Sequence, residues 1–145
     1  MSTPEKACRS DELSMEVVDL IGDVVARFYA DYEEAAGEYR LTGAQARLLN
    51  LLSLEPLPMR KIAHRLKCEP SNVTGIVDRL EARGLVERRP DRADRRVKLA
   101  AATEEGLRVA RDLREGLRFA HAPLAGLSDE ERLSLRDLLR RMLAA

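Results

Sequence analysis

Read by the spacing of its apolar side chains, the chain divides into helical stretches on either side of a short strand-turn-strand segment. From about Asp11 to Ala36, Leu13, Val17, Leu20, Ile21, Val24, Val25, Phe28 and Tyr32 fall on one broad stripe of a long helix. The stripe is wide enough to serve an intramolecular core and a partner helix together. Residues 1–10 read as a loose polar tail, and Gly37 as the residue that closes the helix. Thr42 and Gln45 have the spacing of a capping box, opening a second helix that runs to about Ser53 with Leu48, Leu49 and Leu52 inward. Pro56 and Pro58 interrupt the chain, and Leu57 between them suits a short strand.

The next segment has a different pattern. Ile62, Ala63 and Leu66 share one face of a short helix from about Arg60 to Leu66. Cys68-Glu69-Pro70 is the break, since proline lacks an amide hydrogen and is tolerated best in a helix's first turn. From about Ser71 to Ala82, Val73, Ile76, Val77 and Leu80 repeat at helical spacing. The opposite face carries Ser71, Asn72, Thr74, Gly75, Asp78 and Arg79, and Gly84 suits a left-handed cap. This is the plan of a helix-turn-helix, whose second helix enters a DNA major groove. Two strand-like runs, residues 85–89 and 97–100, then flank an arginine-rich turn at 90–96, so the segment predicts a winged helix-turn-helix.

Beyond the hairpin, Thr103 caps a helix reaching to about Ala122, with Leu107, Ala110, Leu113, Leu117 and Ala120 on its apolar side. Pro123 and Gly126 end it, and Ser128 with Glu131 form a second capping box. The last helix carries Leu135, Leu138, Leu139, Met142 and Leu143 close to a terminus, a surface that needs a partner to cover it. Together with the first helix it predicts a homodimer.

Composition sharpens the picture in two places. At 145 residues the chain is one domain, and with no Trp and few aromatics its core must be built from Leu, Val, Ile and Ala, as in an α-rich protein. The charge sums to zero but is unevenly placed: residues 1–59 hold 5 basic and 11 acidic side chains, and residues 60–98 hold 12 and 6. The excess of positive charge thus falls on the expected DNA-reading unit, as an electrostatic footprint would. No apolar run approaches the roughly 18 residues of a membrane span. The start has no signal-peptide plan, so a cytoplasmic location is expected.

Enzymatic chemistry has no foothold. There is no nucleotide-binding glycine loop, no nucleophile–base pair and no metal-ligand spacing, so neither cofactor nor metal is expected. His64 and His121 stand alone, His64 on the exposed side of its helix suiting a phosphate contact. Cys8 and Cys68 are too few and too differently placed for a disulfide framework, and Cys68 reads as a small core residue.

The ordered series Ile62-Ala63 with Leu66, Pro70-Ser71-Asn72-Val73-Thr74, Val77-Asp78-Arg79-Leu80-Glu81, Gly84-Leu85-Val86, Asp94-Arg95-Arg96 and Thr103-Glu104-Glu105-Gly106 resembles the MarR family of transcriptional regulators. The likeness covers nearly the whole chain. One departure is Ala102, where the family usually has leucine, which would loosen packing at the wing's junction with the next helix. The resemblance implies a mainly α, two-lobed protomer with a small β-wing. Helices within 11–36 and 103–145 would serve dimerisation, and 42–101 the winged helix-turn-helix lobe, all in a single domain of residues 1–145.

The residues expected to meet double-stranded DNA are Ser71, Asn72, Thr74, Gly75 and Arg79 on the second helix. Asn is suited to a bidentate contact with adenine, while Ser71 also suits simple N-capping. Gly75 permits close backbone approach to DNA or to a packed neighbour. In the wing the candidates are Arg92, Arg95 and Arg96; by resemblance, Asp94 braces Arg96, which enters the minor groove. A dimer would read a pseudo-palindromic operator.

The resemblance also implies a small aromatic or phenolic effector, held between the dimerisation helices and the DNA-binding lobe, whose binding releases a repressor from DNA. Phe28, Tyr29, Tyr32 and Arg47 suit such a cleft, but Phe28 and Tyr32 read first as core, so no effector residue is assigned. A cysteine near the first helix can instead sense oxidants in such proteins; Cys8 lies close to that region, without an apolar pocket around it. The competing class is a winged-helix module that binds only protein, which would replace the polar reader face with exposed apolar or aromatic side chains.

Overall fold

The computed structural model describes the backbone of residues 4–118 and 122–145, and side chains from residue 11 onward within those bounds. Helix α1 spans Pro4–Glu38. It starts earlier than the expected polar tail allows, because proline is accommodated in a first turn and nothing between Pro4 and Asp11 breaks the helix. Gly37 does not close it either. The left-handed residue is Arg40, at φ 55°, and Leu41 N–H returns to Ala36 O while Arg40 N–H returns to Gly37 O. This is a Schellman closure built without glycine.

Helix α2 covers Gly43–Leu52 with the Thr42/Gln45 capping box formed in both directions. A short strand β1, Leu57–Pro58, leads into α3, Met59–Leu66, and then α4, Pro70–Ala82. Strands β2, Val86–Pro90, and β3, Lys98–Ala102, form the wing. All pairing is antiparallel in the order β1-β3-β2, with Leu57 opposite Ala100 and Val86 opposite Ala102. Helix α5, Glu104–Gly116, is capped by Thr103; a 3-10 turn at Leu124–Gly126 precedes α6, Asp129–Leu143, whose Ser128/Glu131 capping box is also formed. The fold is the expected mainly helical one with a three-stranded sheet.

Burial concentrates in one lobe. The core gathers Tyr32 and Ala36 from the end of α1, Leu48 and Leu49 from α2, and Ile62 from α3. Val73, Val77 and Leu80 join from α4, and Ala110 and Leu113 from α5. Cys68 and Ile76 pack partly buried against it. The apolar side of α5 differs from expectation: Val109 is buried, whereas Leu107 is 41% exposed. The helix also stops at Gly116, where Leu117 turns extended and drops into the core, while Arg118 N–H donates to Asp31 Oδ1 of α1. Ala120 and His121, and the side chain of Cys8, lie outside the described residues.

Between Asp11 and Arg27, α1 serves no intramolecular core. Leu13, Val17, Leu20, Ile21, Val24 and Val25 are all exposed, and so is every residue of α6. The stripe divides along the helix rather than around it: it enters the core only from Phe28 onward.

Candidate nucleic-acid interface

Helix α4 is fixed at both ends by chemistry local to it. Pro70 occupies its first turn and Glu69 its N-cap without a side-chain bond, so Ser71 lies inside the helix and does not cap it. At the other end Gly84, at φ 72°, lets Leu85 N–H reach Leu80 O and Gly84 N–H reach Glu81 O. With Val73, Val77 and Leu80 fully buried, the helix has no rotational freedom, and Ser71, Asn72, Thr74, Gly75 and Arg79 all stand in solvent. Thr74 Oγ1 donates to Pro70 O at 3.2 Å, leaving its lone pairs outward. Around Gly75 a Cβ would meet nothing within 4 Å, so no neighbour in this chain accounts for the glycine.

The wing is held by aspartates. Asp91 Oδ1 accepts from Ala93 N–H, and Asp94 Oδ1 accepts from Arg96 N–H, both at 3.1 Å. These side-chain turns shape the tip and leave Arg92, Arg95 and Arg96 exposed. Asp94 Oδ1 also receives Arg96 Nε at 3.4 Å, but the Arg96 side chain is 94% exposed, so this pair orients the guanidinium without adding measurable stability.

Arg88, outside the residues expected to meet DNA, also shapes the site. From β2 it donates to Asp78 Oδ1 at 2.6 Å and to Glu81 Oε1 at 3.0 Å, tying the wing to the reader helix. The Asp78 hydrogen bond comes first among the causes that hold the Arg88 guanidinium above its ordinary range. Two carboxylates near a DNA-facing helix would otherwise repel phosphate. The signal was present: Asp78 and Glu81 are three apart on one helical face, and a cation follows in the adjoining strand.

Helix α3 adds to the expected site: beside the exposed His64, Arg60, Lys61 and Arg65 are exposed too, with Lys67 just beyond, and no carboxylate interrupts them. From Glu55 to Gly106 no large hydrophobic side chain is exposed, so this surface is mainly polar, with the cations of α3 and the wing set among exposed carboxylates such as Glu69, Asp78 and Glu87.

Between α1, α2 and the end of α3 lies a cavity of about 360 Å³. Phe28, Tyr29 and Tyr32 line it from α1, Arg47 and Asn50 from α2, and Arg65 and Lys67 from the helix-turn-helix. Phe28 and Tyr32 meet edge to face at 4.9 Å, and the Arg47 guanidinium lies 4.4 Å from the centre of the Tyr29 ring. Burial pushes the Tyr32 phenol upward, with Arg114 and Arg47 pulling against it. Among the described residues Asn50 Oδ1 is buried with no hydrogen-bond partner. Tyr32 is thus both core and cavity wall, and Tyr29 and Arg47 belong to the cavity. Among the described residues no cluster of His, Cys, Asp or Glu could hold a metal, and no helix is long and apolar enough to cross a membrane.

A polar reader helix with a cationic hairpin locked beside it defines a DNA-binding winged helix-turn-helix protein. Comparison with known proteins narrows the class. The family model "MarR family" matches residues 41–98, from the end of the α1 turn to the start of β3. The chain is 27% identical to the HTH-type transcriptional repressor NicR of Pseudomonas putida, over 98% of this chain and 93% of that one. It is 31% identical to a solved MarR-family transcriptional regulator from Rhodococcus sp. RHA1, covering 92% of this chain and 94% of that one, with a TM-score of 0.70. It is 30% identical to CouR from Rhodococcus jostii RHA1, solved bound to p-coumaroyl-CoA, covering 92% of both chains with a TM-score of 0.72. The chain belongs to the MarR family and is a DNA-binding transcriptional regulator.

Proposed function

We propose that the protein is a cytoplasmic, homodimeric repressor that reads a pseudo-palindromic operator and is released from it by a small aromatic anion. The observation that carries the reading is the pairing, on one lobe, of an exposed polar α4 face with a cationic wing, while α1 and α6 leave apolar stripes uncovered on the other. Two copies joined through those stripes present two reader helices to one face of the duplex, each entering a major groove about one helical turn apart.

In this arrangement Asn72 reads a base edge, with Ser71 and Thr74 beside it, and Gly75 lets the α4 backbone approach the groove wall. Arg79 and the α3 cations meet phosphate. Arg92, Arg95 and Arg96 extend the contact across the adjacent minor groove, Asp94 orienting Arg96. Residues 42–101 form the reading lobe within one domain, and the uncovered parts of 11–36 and 103–145, namely the α1 stripe before Phe28 and helix α6, supply the dimer contacts.

The effector reading rests on the α1–α2–α3 cavity. The ring of Tyr29 offers a stacking face, Arg47, Arg65 and Lys67 offer positive charge, and Asn50 Oδ1 awaits a donor. That chemistry suits an aromatic acid bearing a hydroxyl or similar donor. Support also comes from CouR, a relative solved with p-coumaroyl-CoA. Because Arg65 and Lys67 belong to the helix-turn-helix, a ligand held there acts on the reading lobe directly.

Fluorescence anisotropy tests both parts. The full chain is titrated onto DNA from its own promoter region and onto unrelated DNA at several salt concentrations, with hydroxylated benzoic and cinnamic acids then added. Strong preference for the promoter, a steep salt dependence and release by an aromatic acid are expected. Equal binding to both DNAs removes the operator reading, and indifference to every acid removes the effector reading.

A further inference from the structure

We propose that Arg83 is a positioning residue that sets the operator half-site spacing the protein accepts, by locking the reader helix to the end of α1. The proposal rests on the DNA-reading homodimer described above. Arg83 is the C-cap of α4, and its guanidinium donates from Nη1 to Arg40 O at 2.9 Å and from Nη2 to Tyr39 O at 2.7 Å. These acceptors are in the turn that closes α1, 43 and 44 residues earlier in the chain.

The contact answers a deficit in α1 itself. Carbonyls at a helix C-terminus form a negative pole that favours cations, yet α1 has no basic residue in its last turn and carries Glu33, Glu34 and Glu38 nearby. Arg83 supplies the missing charge from another helix, as a two-pronged fork whose planarity fixes direction as well as distance.

Both ends of the link are rigid. Arg83 is set by the glycine closure of α4 at Gly84, and Tyr39 is held by its own hydroxyl, which donates to Asp112 Oδ2 of α5 at 3.2 Å. Helix α1 packs chiefly on α2 and α5, and α4 on α2, α3 and β2, so the fork is a direct polar connection between two helices that pack mainly on other elements. Along α1 the order is the uncovered stripe, then the cavity wall at Phe28, Tyr29 and Tyr32, then the Arg83 anchor. A shift of α1 at the dimer contact therefore reaches the reader helix through Arg83.

The test compares the full-length parent with Arg83→Ala and Arg83→Lys. Duplexes selected by the parent from a random-sequence library are altered by inserting or deleting one or two base pairs between the half-sites. The parent is expected to discriminate against altered spacings about tenfold; Arg83→Ala narrows that discrimination to about twofold, with Arg83→Lys between, as a lost coupling of ordinary size would. The salt slope stays at the parent value. An unchanged spacing profile overturns the proposal, as does uniform weakening with a slope lower by about one, which marks a phosphate contact instead.

A DNA-free measurement covers the case in which the parent selects no duplex, a failure of the DNA reading and not of the link. In a background with Cys8 and Cys68 replaced by alanine, spin labels at Thr74→Cys report the distance between reader helices. A narrow distribution that broadens with Arg83→Ala supports the link, and equal widths overturn it.

Discussion

Asn72 and Arg96 are both exposed and both polar, yet their settings separate their roles. Asn72 projects from a helix immobilised by three fully buried residues, so its Cα–Cβ bond points in one fixed direction. Arg96 stands on a hairpin tip with one long contact to Asp94. Asn72→Ala is therefore expected to alter sequence preference, costing about 1–3 kcal/mol on the preferred site and little elsewhere, read by binding to a panel of single-base operator variants. Arg96→Ala should weaken binding to all sequences alike and lower the salt slope by about one. Equal behaviour of the two variants would falsify the division of labour. Arg88 acts one step removed. Its side chain is 27% exposed and bridges Asp78 and Glu81, so Arg88→Ala should cost at most about 1 kcal/mol of stability in thermal unfolding. It should cost more in DNA affinity, because it frees the wing and bares two carboxylates toward phosphate.

At the scale of elements, the junction of wing and α5 decides how firmly the hairpin is aimed. Ala102 stands where its family usually places leucine, and it still packs against the core. The junction is closed by backbone instead. Thr103 Oγ1 donates to Gly84 O at 2.6 Å, Thr103 N–H donates to Leu85 O at 3.0 Å, and Gly106 N–H donates back to Thr103 Oγ1. A Cβ at Gly106 would lie 1.9 Å from Leu85 O and 3.3 Å from Leu49 Cδ1. Gly106→Ala should thus destabilise by about 3 kcal/mol despite alanine's better helix propensity, seen as a drop of several degrees in thermal midpoint. An unchanged midpoint would show that the α5 N-terminus can move away from the wing.

For the whole molecule the uncovered stripes are the dominant fact. Leu13 is 61% exposed and Leu20 56% on α1, with Leu138 at 53% on α6. Apolar area of this extent on two long helices calls for a partner. The homodimer reading predicts that Leu20→Glu combined with Leu138→Glu yields monomers in sedimentation equilibrium, with the helix-turn-helix lobe still folded by circular dichroism. DNA affinity should fall steeply, since one reader helix binds without its twin. A dimeric double variant would place the subunit contact elsewhere.

How much of this was written in the chain depends on the range of the interaction. Local codes were readable: the capping boxes at Thr42 and Ser128, the proline that opens α4, the glycine that closes it, and the buried stripe of Val73, Val77 and Leu80 with its polar reverse side. Each depends on residues within a turn or two of one another, and so determines the winged helix-turn-helix, its candidate reader residues and the cationic wing. Contacts between distant segments were decided only by tertiary structure. Arg88 on Asp78, Arg83 on the α1 turn and Asn50 beside the cavity follow from which helices meet and at what offset. Sequence spacing also located the apolar stripe of α1, but not where along the helix the core begins. That point is set by α2 and α5, beside which the described residues of α1 enter the core from Phe28 onward.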